Sequence, residues 1–180
     1  MTVLTATPDE QLMAAYQAGT RDAFDELFAR YRDPIRKFFG RRLASPQLAE
    51  ELVQDTFMAV LRGAERYEPR ASFRSYLFGV AFNVLSAARR SNRHVTHPIV
   101  SDPAAPDRDP VAVLWVRRAL ADLDADDREV LVLREYDGLS YNEMATVLAI
   151  PLNTVKIRLF RAREALRARL TDTPEEGAAS

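Results

Sequence analysis

The chain has 180 residues, 47% of them apolar, which is enough for one or two small domains with hydrophobic cores. Its formal net charge is −1 and it has no cysteine, which excludes disulfides, thiolate metal sites and cysteine nucleophiles. The sequence contains no apolar run of membrane length and no basic signal-peptide region at MTVLTATPDEQ, so we expect a cytoplasmic protein without membrane insertion.

Charge is segregated along this nearly neutral chain. Residues 30–42 carry six cations against one acid, and residues 122–129 carry five acids against one cation. This pattern is typical of a protein that contacts DNA with one surface and a protein partner with another.

Two helices are predicted at the start of the chain. Thr7-Pro8-Asp9-Glu10 is a helix N-terminus pattern with Thr7 as the cap, and Gly19 should end this helix after about Ala18. The next apolar stripe runs from Phe24 to Phe38. Pro34 interrupts it, so we expect a kink, or a restart capped by Asp33.

The third predicted helix opens at Ser45-Pro46 and has one apolar and one acidic side. The acidic side includes Glu51, Gln54 and Asp55. It is either an ordinary solvent-facing side or a docking surface for a basic partner, and the helix alone does not decide between them.

A loop over residues 63–71 precedes a fourth helix capped by Ser72. Tyr76, Phe78 and Phe82 add aromatic rings beside arginines, a combination that suits base stacking and phosphate contacts on a single nucleic-acid strand. The alternative is that these rings complete the core, which is the more frequent role for any one of them.

The segment from Ser91 to Pro110 contains four of the ten prolines and no helical period, so we expect a linker. Both histidines, His94 and His97, lie in it, but without thiols or a fixed scaffold we expect no metal site. A helix should follow to Leu123, and Asp124 should cap another that ends near Asp137-Gly138. The chain shows no strand-like alternation, so it is predicted to be all-α.

The stretch SYNEMATVLAIPLNTVKIRLFRAREALRAR, which starts at Ser140, predicts a helix-turn-helix. Ser140 and Glu143 form a capping box, Pro151 ends the first helix, and Asn153 should cap the second. The predicted core stripe of the second helix is Val155, Leu159, Ala162, Leu166 and Leu170. Residues 151–170 carry six cations and one acid, which is typical of a helix that enters the DNA major groove.

Two stretches together resemble a known family. AEELVQDTFMAVLRG, followed by FRSYLFGVAFN, is similar to the second domain of extracytoplasmic-function (ECF) sigma factors of bacterial RNA polymerase. Residues 120–166 are similar to their fourth domain. The resemblance implies two small helical domains joined by a flexible linker: a region 2 domain (8–92), the linker (93–110), a region 4 domain (111–170) and a disordered tail (171–180).

The resemblance also implies the function of a non-enzymatic specificity subunit without a cofactor. It would bind core RNA polymerase, recognise and melt promoter DNA, direct transcription initiation and be held by an anti-sigma factor. Contacts to the core polymerase would come from Glu51, Gln54 and Asp55. Contacts to the minus-ten element would come from Arg66, Tyr67, Arg74, Tyr76, Asn83 and Arg90. Contacts to the minus-thirty-five element would come from Asn153, Thr154, Lys156, Ile157, Arg158 and Arg161.

The chain departs from the family pattern at several of these places. Ala149 and Asn153 stand where glycine is usual, Ile157 where serine is usual, and Phe160 where histidine is common. In the second domain, the departures are Phe82 for arginine and Ala87 for aspartate. We interpret them as an altered promoter preference rather than a loss of function.

Three other hypotheses compete with a sigma factor. A sigma-like decoy would bind an anti-sigma factor and no DNA, but it would not need six cations in the second helix of the helix-turn-helix. A dimeric repressor would not explain the resemblance over residues 49–83. An enzyme is disfavoured because the sequence has no thiol, no glycine-rich phosphate loop and no cluster of histidines with carboxylates.

Overall fold

The computed structural model describes residues 7–91 and 110–171. This part of the chain consists of α-helices and one short 3-10 turn, with no strand, which confirms the predicted all-α fold. The helices are α1 (Asp9–Gln17), α2 (Arg21–Gly40), α3 (Pro46–Gly63), α4 (Phe73–Arg90), α5 (Pro110–Ala121), α6 (Ala125–Glu135), α7 (Tyr141–Leu148) and α8 (Leu152–Thr171). The 3-10 turn, Ala64–Arg66, follows α3 directly.

Four helix starts lie where the capping patterns predict them. Ser45, Ser72, Asp124 and Ser140 each precede a helix, and their side-chain oxygens accept hydrogen bonds from backbone N–H groups of the first turn. These bonds satisfy donors that have no partner within the helix. The helix starts are therefore determined locally, by residues two or three positions apart.

The start of α1 differs from the prediction. Pro8 occupies the cap position without a side-chain hydrogen bond, so the prediction of Thr7 as the cap is wrong. Instead, the Thr7 carbonyl accepts a hydrogen bond from the Arg30 guanidinium at 2.7 Å, and the same group pairs with Asp9 at 2.7 Å. Contact with α2 therefore holds this end of α1. Its other end is followed, as expected, by Gly19 at a φ of 101°.

Two other predictions concern helix boundaries. Of the kink or restart expected at Pro34, the restart is wrong. Helix α2 continues through Pro34, so there is no restart at Asp33. Proline removes one backbone hydrogen bond, but Ile35 and Phe38, both fully buried, keep the later turns on the same core stripe. Helix α8 begins at Leu152, so Asn153 is an exposed residue of the first turn and not the cap.

Helices α1–α4 share one core. Helix α2 packs on α1 and α3, and α3 packs on α4. The Phe38 ring lies edge-on to Phe39 and Phe78, with centroid distances of 5.2 and 5.7 Å. Phe78 is 1% exposed and therefore belongs to the core, whereas Tyr76 and Phe82 are half-buried.

Helices α5–α8 form the second unit, in which α8 packs on α5, α6 and α7. Val130 and Leu133 of α6 are fully buried, as are Met144 of α7 and Val155 of α8. The predicted core stripe of α8 is buried as far as Ala162, half-buried at Leu166 and exposed at Leu170.

The two units contact each other through α4 and α7 and through a buried group of charges. We call Arg41, Arg42, Glu129 and Asp137 the Arg42 cluster. Arg42, 4% exposed, donates hydrogen bonds to Glu129 and Asp137, each at 2.8 Å. Burial alone would lower the pKa of Arg42, but the two carboxylates raise it above its ordinary value, so the guanidinium stays charged. Arg41 pairs with Asp137 at 2.7 Å.

Several predictions concern residues outside the described ranges. They include most of the linker with His94 and His97, and the tail after Thr171. Within residues 7–91 and 110–171, no helix combines the length and apolar character needed to cross a bilayer. The same part of the chain contains no group of three carboxylates or histidines arranged to hold a metal ion.

Candidate nucleic-acid interface

The helix-turn-helix is formed by α7, a short turn and α8. The capping box of α7 is complete: Ser140 Oγ accepts from the Glu143 N–H at 3.3 Å, and the Glu143 carboxylate accepts from the Ser140 N–H at 2.8 Å. The turn requires a left-handed residue, and Ala149 supplies it with a φ of 52° and a ψ of 42°. Alanine therefore adopts the conformation for which glycine is better suited.

The outer face of α8 is exposed to solvent along much of its length. Val155, Leu159 and Ala162 are buried against the rest of the unit. The opposite side exposes Asn153, Lys156, Ile157, Phe160 and Arg161. Thr154 and Arg158 are half-buried at its margins. All six residues predicted to contact the minus-thirty-five element therefore lie on or beside one accessible surface.

Two arginines of this surface are held by acids at the start of α6. Arg161 donates to Asp127 through Nε at 3.1 Å and Nη2 at 2.8 Å, a two-bond contact. These hydrogen bonds and the Asp127 charge raise the pKa of Arg161 above its ordinary value. Arg158 pairs with Asp126 at 2.7 Å. The guanidinium groups of both arginines therefore have protein partners in this structure, which the sequence pattern did not reveal.

A surface pocket of about 460 Å³ lies on the first unit, between the 3-10 turn and α4. Its lining is Gly63, Arg66, Tyr67, Glu68, Arg70 and Tyr76. The centroids of the Tyr67 and Tyr76 rings are 5.0 Å apart. The buried Tyr67 hydroxyl has no hydrogen-bond partner among the described residues, and burial raises the pKa of this hydroxyl. The structure thus brings together three of the residues predicted to contact the minus-ten element.

Helix α1 holds both ends of the segment that forms this pocket. The Gln17 side-chain amide donates to the carbonyl of Ala64 at 2.8 Å and to that of Tyr67 at 3.0 Å. At the other end, the Glu10 carboxylate accepts from the Phe73 N–H at 2.8 Å. The loop is therefore fixed by side chains from a helix about fifty residues earlier in the chain.

The other three residues predicted for the minus-ten element lie along α4. Asn83 and Arg90 are exposed and follow Tyr76 at seven-residue intervals, so the three share one helix face. Arg74 is turned toward the second unit, where it donates to the Asp137 carbonyl at 2.6 Å and pairs with Glu143 at 3.4 Å. Arg74 is thus separated from the pocket residues.

Known proteins share this arrangement of two helical units. The family model described as Sigma-70 region 2 matches residues 27–95, and the one described as Sigma-70, region 4 matches residues 114–166. The RNA polymerase sigma factor CarQ of Myxococcus xanthus is 35% identical over 162 residues, which cover 86% of this chain and 93% of CarQ. The chain belongs to the ECF sigma factors of bacterial RNA polymerase.

Two solved structures extend the comparison to three dimensions. CnrH, solved in complex with the cytosolic domain of CnrY, is 28% identical to this sigma factor, with a TM-score of 0.66. The alignment covers 92% of this chain and 99% of CnrH. RpoE of Bartonella quintana, solved with the anti-sigma factor NepR, is 25% identical with a TM-score of 0.67, and the alignment covers 85% and 99% of the two chains.

The acidic side of α3 in this sigma factor is a separate exposed surface. Glu51, Gln54 and Asp55 are all exposed, and neither acid forms an ion pair within the part of the chain that the structure describes. Met58 lies one turn further along and is 49% exposed. Met58 was not predicted as part of this surface, although its spacing of three residues from Asp55 places it on the same side of the helix.

Proposed function

We propose that this sigma factor binds core RNA polymerase and directs transcription initiation by recognising and melting promoter DNA. Residues 8–92 would bind the polymerase and the minus-ten element, and residues 111–170 would bind the minus-thirty-five element. Residues 93–110 would serve as the linker and 171–180 as a disordered tail. It would act in the cytoplasm as a specificity subunit, and the polymerase would carry out the chemistry.

One observation carries this proposal: a pocket lined by two tyrosines and two arginines lies in the same chain as an exposed basic helix of a helix-turn-helix. A protein that only binds duplex DNA needs the helix and has no use for the pocket. A protein that opens DNA needs both, because an unstacked base must be received somewhere.

The pocket has the chemistry to receive a base. Its volume of about 460 Å³ is in the range of small-ligand sites. The half-buried Tyr76 ring offers a stacking surface beside Tyr67, and exposed Arg66 offers a cation for phosphate. Stacking on aromatic rings contributes about 1–3 kcal/mol per base, which is comparable to the unstacking cost of a few kcal/mol.

Helix α4 supports a path for the opened strand beyond the pocket. Tyr76, Asn83 and Arg90 repeat every seven residues, so neighbouring members are about 10 Å apart along one face. Asn83 would donate and accept hydrogen bonds, and Arg90 would contact phosphate. Arg74 would join them only after its contacts to Asp137 and Glu143 break.

For the minus-thirty-five element, we propose that α8 enters the major groove. Asn153, Thr154 and Lys156 occupy the first turns, and Ile157, Arg158 and Arg161 continue the surface. Phosphate contacts would position the helix, and contacts to base edges would select the sequence. The acidic side of α3, with Glu51, Gln54 and Asp55, would dock on a basic surface of the core polymerase.

We also propose an anti-sigma factor as a partner. CnrH was solved with the cytosolic domain of CnrY, and RpoE with the anti-sigma factor NepR. The alignment with each covers at least 85% of this chain, so both of its domains have counterparts in those complexes.

The general test is a pull-down with core polymerase, followed by run-off transcription on a promoter library. We expect stable binding and transcripts from one sequence class. Binding to neither core nor promoter would refute the proposal and support the decoy hypothesis. A shift of duplex DNA by the chain alone, without core polymerase, would support a repressor instead.

The melting role has a sharper test. Tyr76→Ala and Arg66→Ala should reduce transcription from duplex promoters and lose little on templates with a pre-formed bubble over the minus-ten element. Arg62→Ala is the matched control, because Arg62 is an exposed arginine near the pocket that does not line it. Equal losses on duplex and bubble templates would contradict a role in melting.

A further inference from the structure

The outer face of α8 carries an unusual apolar pair. Ile157 and Phe160 are 59% and 67% exposed, the two highest values among the large apolar side chains of the described residues. They are three positions apart and therefore adjacent on the helix surface. The core stripe of α8 lies on the other side and is already covered, so packing within the chain does not explain the pair.

The surroundings of the pair fit DNA better than a protein surface. Residues 151–170 carry a net charge of +5, and Lys156, next to Ile157, is exposed without an ion pair among the described residues. Two apolar side chains within a basic helix complement a major groove, which combines negative phosphates with apolar thymine methyl groups.

The nearby hydrogen-bonding groups point to the same conclusion. Arg158 and Arg161, the two arginines predicted to contact DNA from this surface, are held by Asp126 and Asp127. Arginine with a free guanidinium fork is the usual partner of guanine, and here two nitrogens of Arg161 and one of Arg158 are already bound to acids. The groups that remain free to face base edges between Lys156 and Phe160 are therefore mainly apolar.

The spacing of the pair is comparable to the spacing of stacked bases. Residues three apart in a helix are about 4.5 Å apart along its axis, and successive bases rise by about 3.4 Å. Ile157 and Phe160 can therefore face neighbouring base pairs. Thymine is the base that presents a methyl group in the major groove, at C5.

We propose that Ile157 and Phe160 make this sigma factor select thymines at two neighbouring positions of its minus-thirty-five element, through their C5-methyl groups. The proposal rests on the proposed function, because it assigns the specificity of the same helix. It adds Phe160 to the residues that contact this element and gives Ile157 a defined partner.

The test replaces thymine with deoxyuridine, which removes the methyl group and leaves the base-pairing edge unchanged. Holoenzyme made with the full chain is first used to select its promoter from a library. Each thymine of the selected minus-thirty-five element is then replaced in turn, and holoenzyme binding and run-off transcription are measured. We expect an approximately fourfold loss at each of two neighbouring positions, and about 15-fold for both together.

Two variants assign the methyl groups to side chains. Ile157→Ala should abolish the deoxyuridine effect at one position and Phe160→Ala at the other, because each variant has already lost the contact. Both side chains are exposed and alanine favours helix, so folding should be unaffected. Leu114→Ala, at an exposed leucine of α5, should retain both effects. Deoxyuridine outside the element controls for changes in DNA stiffness.

The outcomes separate this proposal from the proposed function. Promoter-specific transcription without any deoxyuridine effect, or with an effect that persists in both alanine variants, would overturn the role of the pair and leave the sigma function intact. The alanine variants could instead select the same promoters and lose binding to an anti-sigma protein. That result would overturn the role of the pair in DNA recognition and identify it as a protein-docking patch. Absence of transcription from every promoter would overturn both proposals.

Discussion

Replacing Arg42 with methionine should separate the two helical units while leaving each of them folded. Methionine preserves much of the length of the side chain but removes three hydrogen bonds, to Glu129, Asp137 and the Phe38 carbonyl. The side chains of Asp137 and Glu129 are 1% and 16% exposed, so the acids would remain largely buried with less compensation.

The magnitude follows from this burial. Removal of one partner from a buried ion pair is destabilising by about 3–5 kcal/mol, because a charge remains without compensation. Arg41 still pairs with Asp137 at 2.7 Å, so we expect the lower end of this range. A change of about 3 kcal/mol shifts the equilibrium between contacting and separated units by roughly 100-fold. Separation of the two units exposes both acids to water, so it relieves the uncompensated charge at a lower free-energy cost than unfolding does.

Fluorescence energy transfer measures this separation directly. The chain has no cysteine, so Gln47→Cys and Ala168→Cys provide one labelling site on each unit. Transfer efficiency should fall in Arg42→Met, with helix content by circular dichroism unchanged. Arg36→Met is the matched control, because Arg36 lies in α2, just before Arg42 in the chain, with its side chain 49% exposed.

An unchanged transfer efficiency together with an unchanged free energy of unfolding would refute this reasoning. A loss of helix content in Arg42→Met would instead mean that Arg42 supports the fold of α2. Asp137→Asn distinguishes these cases, since it weakens the same cluster from the other unit and leaves the contact of Arg42 with the Phe38 carbonyl in place.

Three further predictions concern the helix-turn-helix. Ala149→Gly should raise the free energy of unfolding by about 0.5 kcal/mol in urea titrations, because relief of the left-handed strain slightly exceeds the added chain entropy of glycine. Ala145→Gly, inside α7, should lower the free energy of unfolding by about 1 kcal/mol. A change of the same sign in both variants would contradict the argument. Burial raises the pKa of Glu143, but hydrogen bonds from Ser140 and the Arg74 charge lower it more, so the net pKa lies below its ordinary value. The resulting stability is present above the unfolded pKa of about 4.3 and lost as the pH falls through the lower folded value. Urea titrations from pH 6 to pH 3 should therefore show a steeper loss in the native chain than in Glu143→Gln, and parallel curves would exclude this contribution. Asp127→Asn should free Arg161 and strengthen holoenzyme binding to the minus-thirty-five element. The slope of the logarithm of the binding constant against the logarithm of salt concentration should become steeper by the amount expected for about one phosphate contact. The exposed acid Asp25 provides the control Asp25→Asn, and equal effects of both variants would indicate net charge as the cause.

The predictions from the sequence succeeded where the interactions are local. Ser45, Ser72 and Ser140 each bond to a backbone group three residues away, so a four-residue pattern contains the whole interaction. The same holds for the basic outer face of α8, which follows from helical periodicity. The family resemblance was also confirmed, because it rests on two blocks of sequence in a fixed order.

The predictions failed, or were never made, where distant residues decide. The alternative of a helix restart at Asp33 was wrong, because burial of residues on both sides of Pro34 outweighs one lost hydrogen bond. The contact between Arg161 and Asp127 joins residues 34 positions apart, and that between Arg42 and Asp137 joins residues 95 positions apart. Patterns in a single sequence do not show which distant residues pair in the folded chain. The roles assigned to individual residues at the polymerase and the promoter remain predictions.

The support of the pocket by α1 has a consequence for the exchange of domains between sigma factors. The match to region 2 begins at residue 27, whereas the side chains that hold the pocket loop, Glu10 and Gln17, precede it. A chimera joined at residue 27 would combine the pocket loop of this chain with an α1 helix from another protein, without Glu10 and Gln17. The unit that holds the pocket in place is therefore larger than the region 2 match, and grafts intended to transfer this pocket should begin before α1.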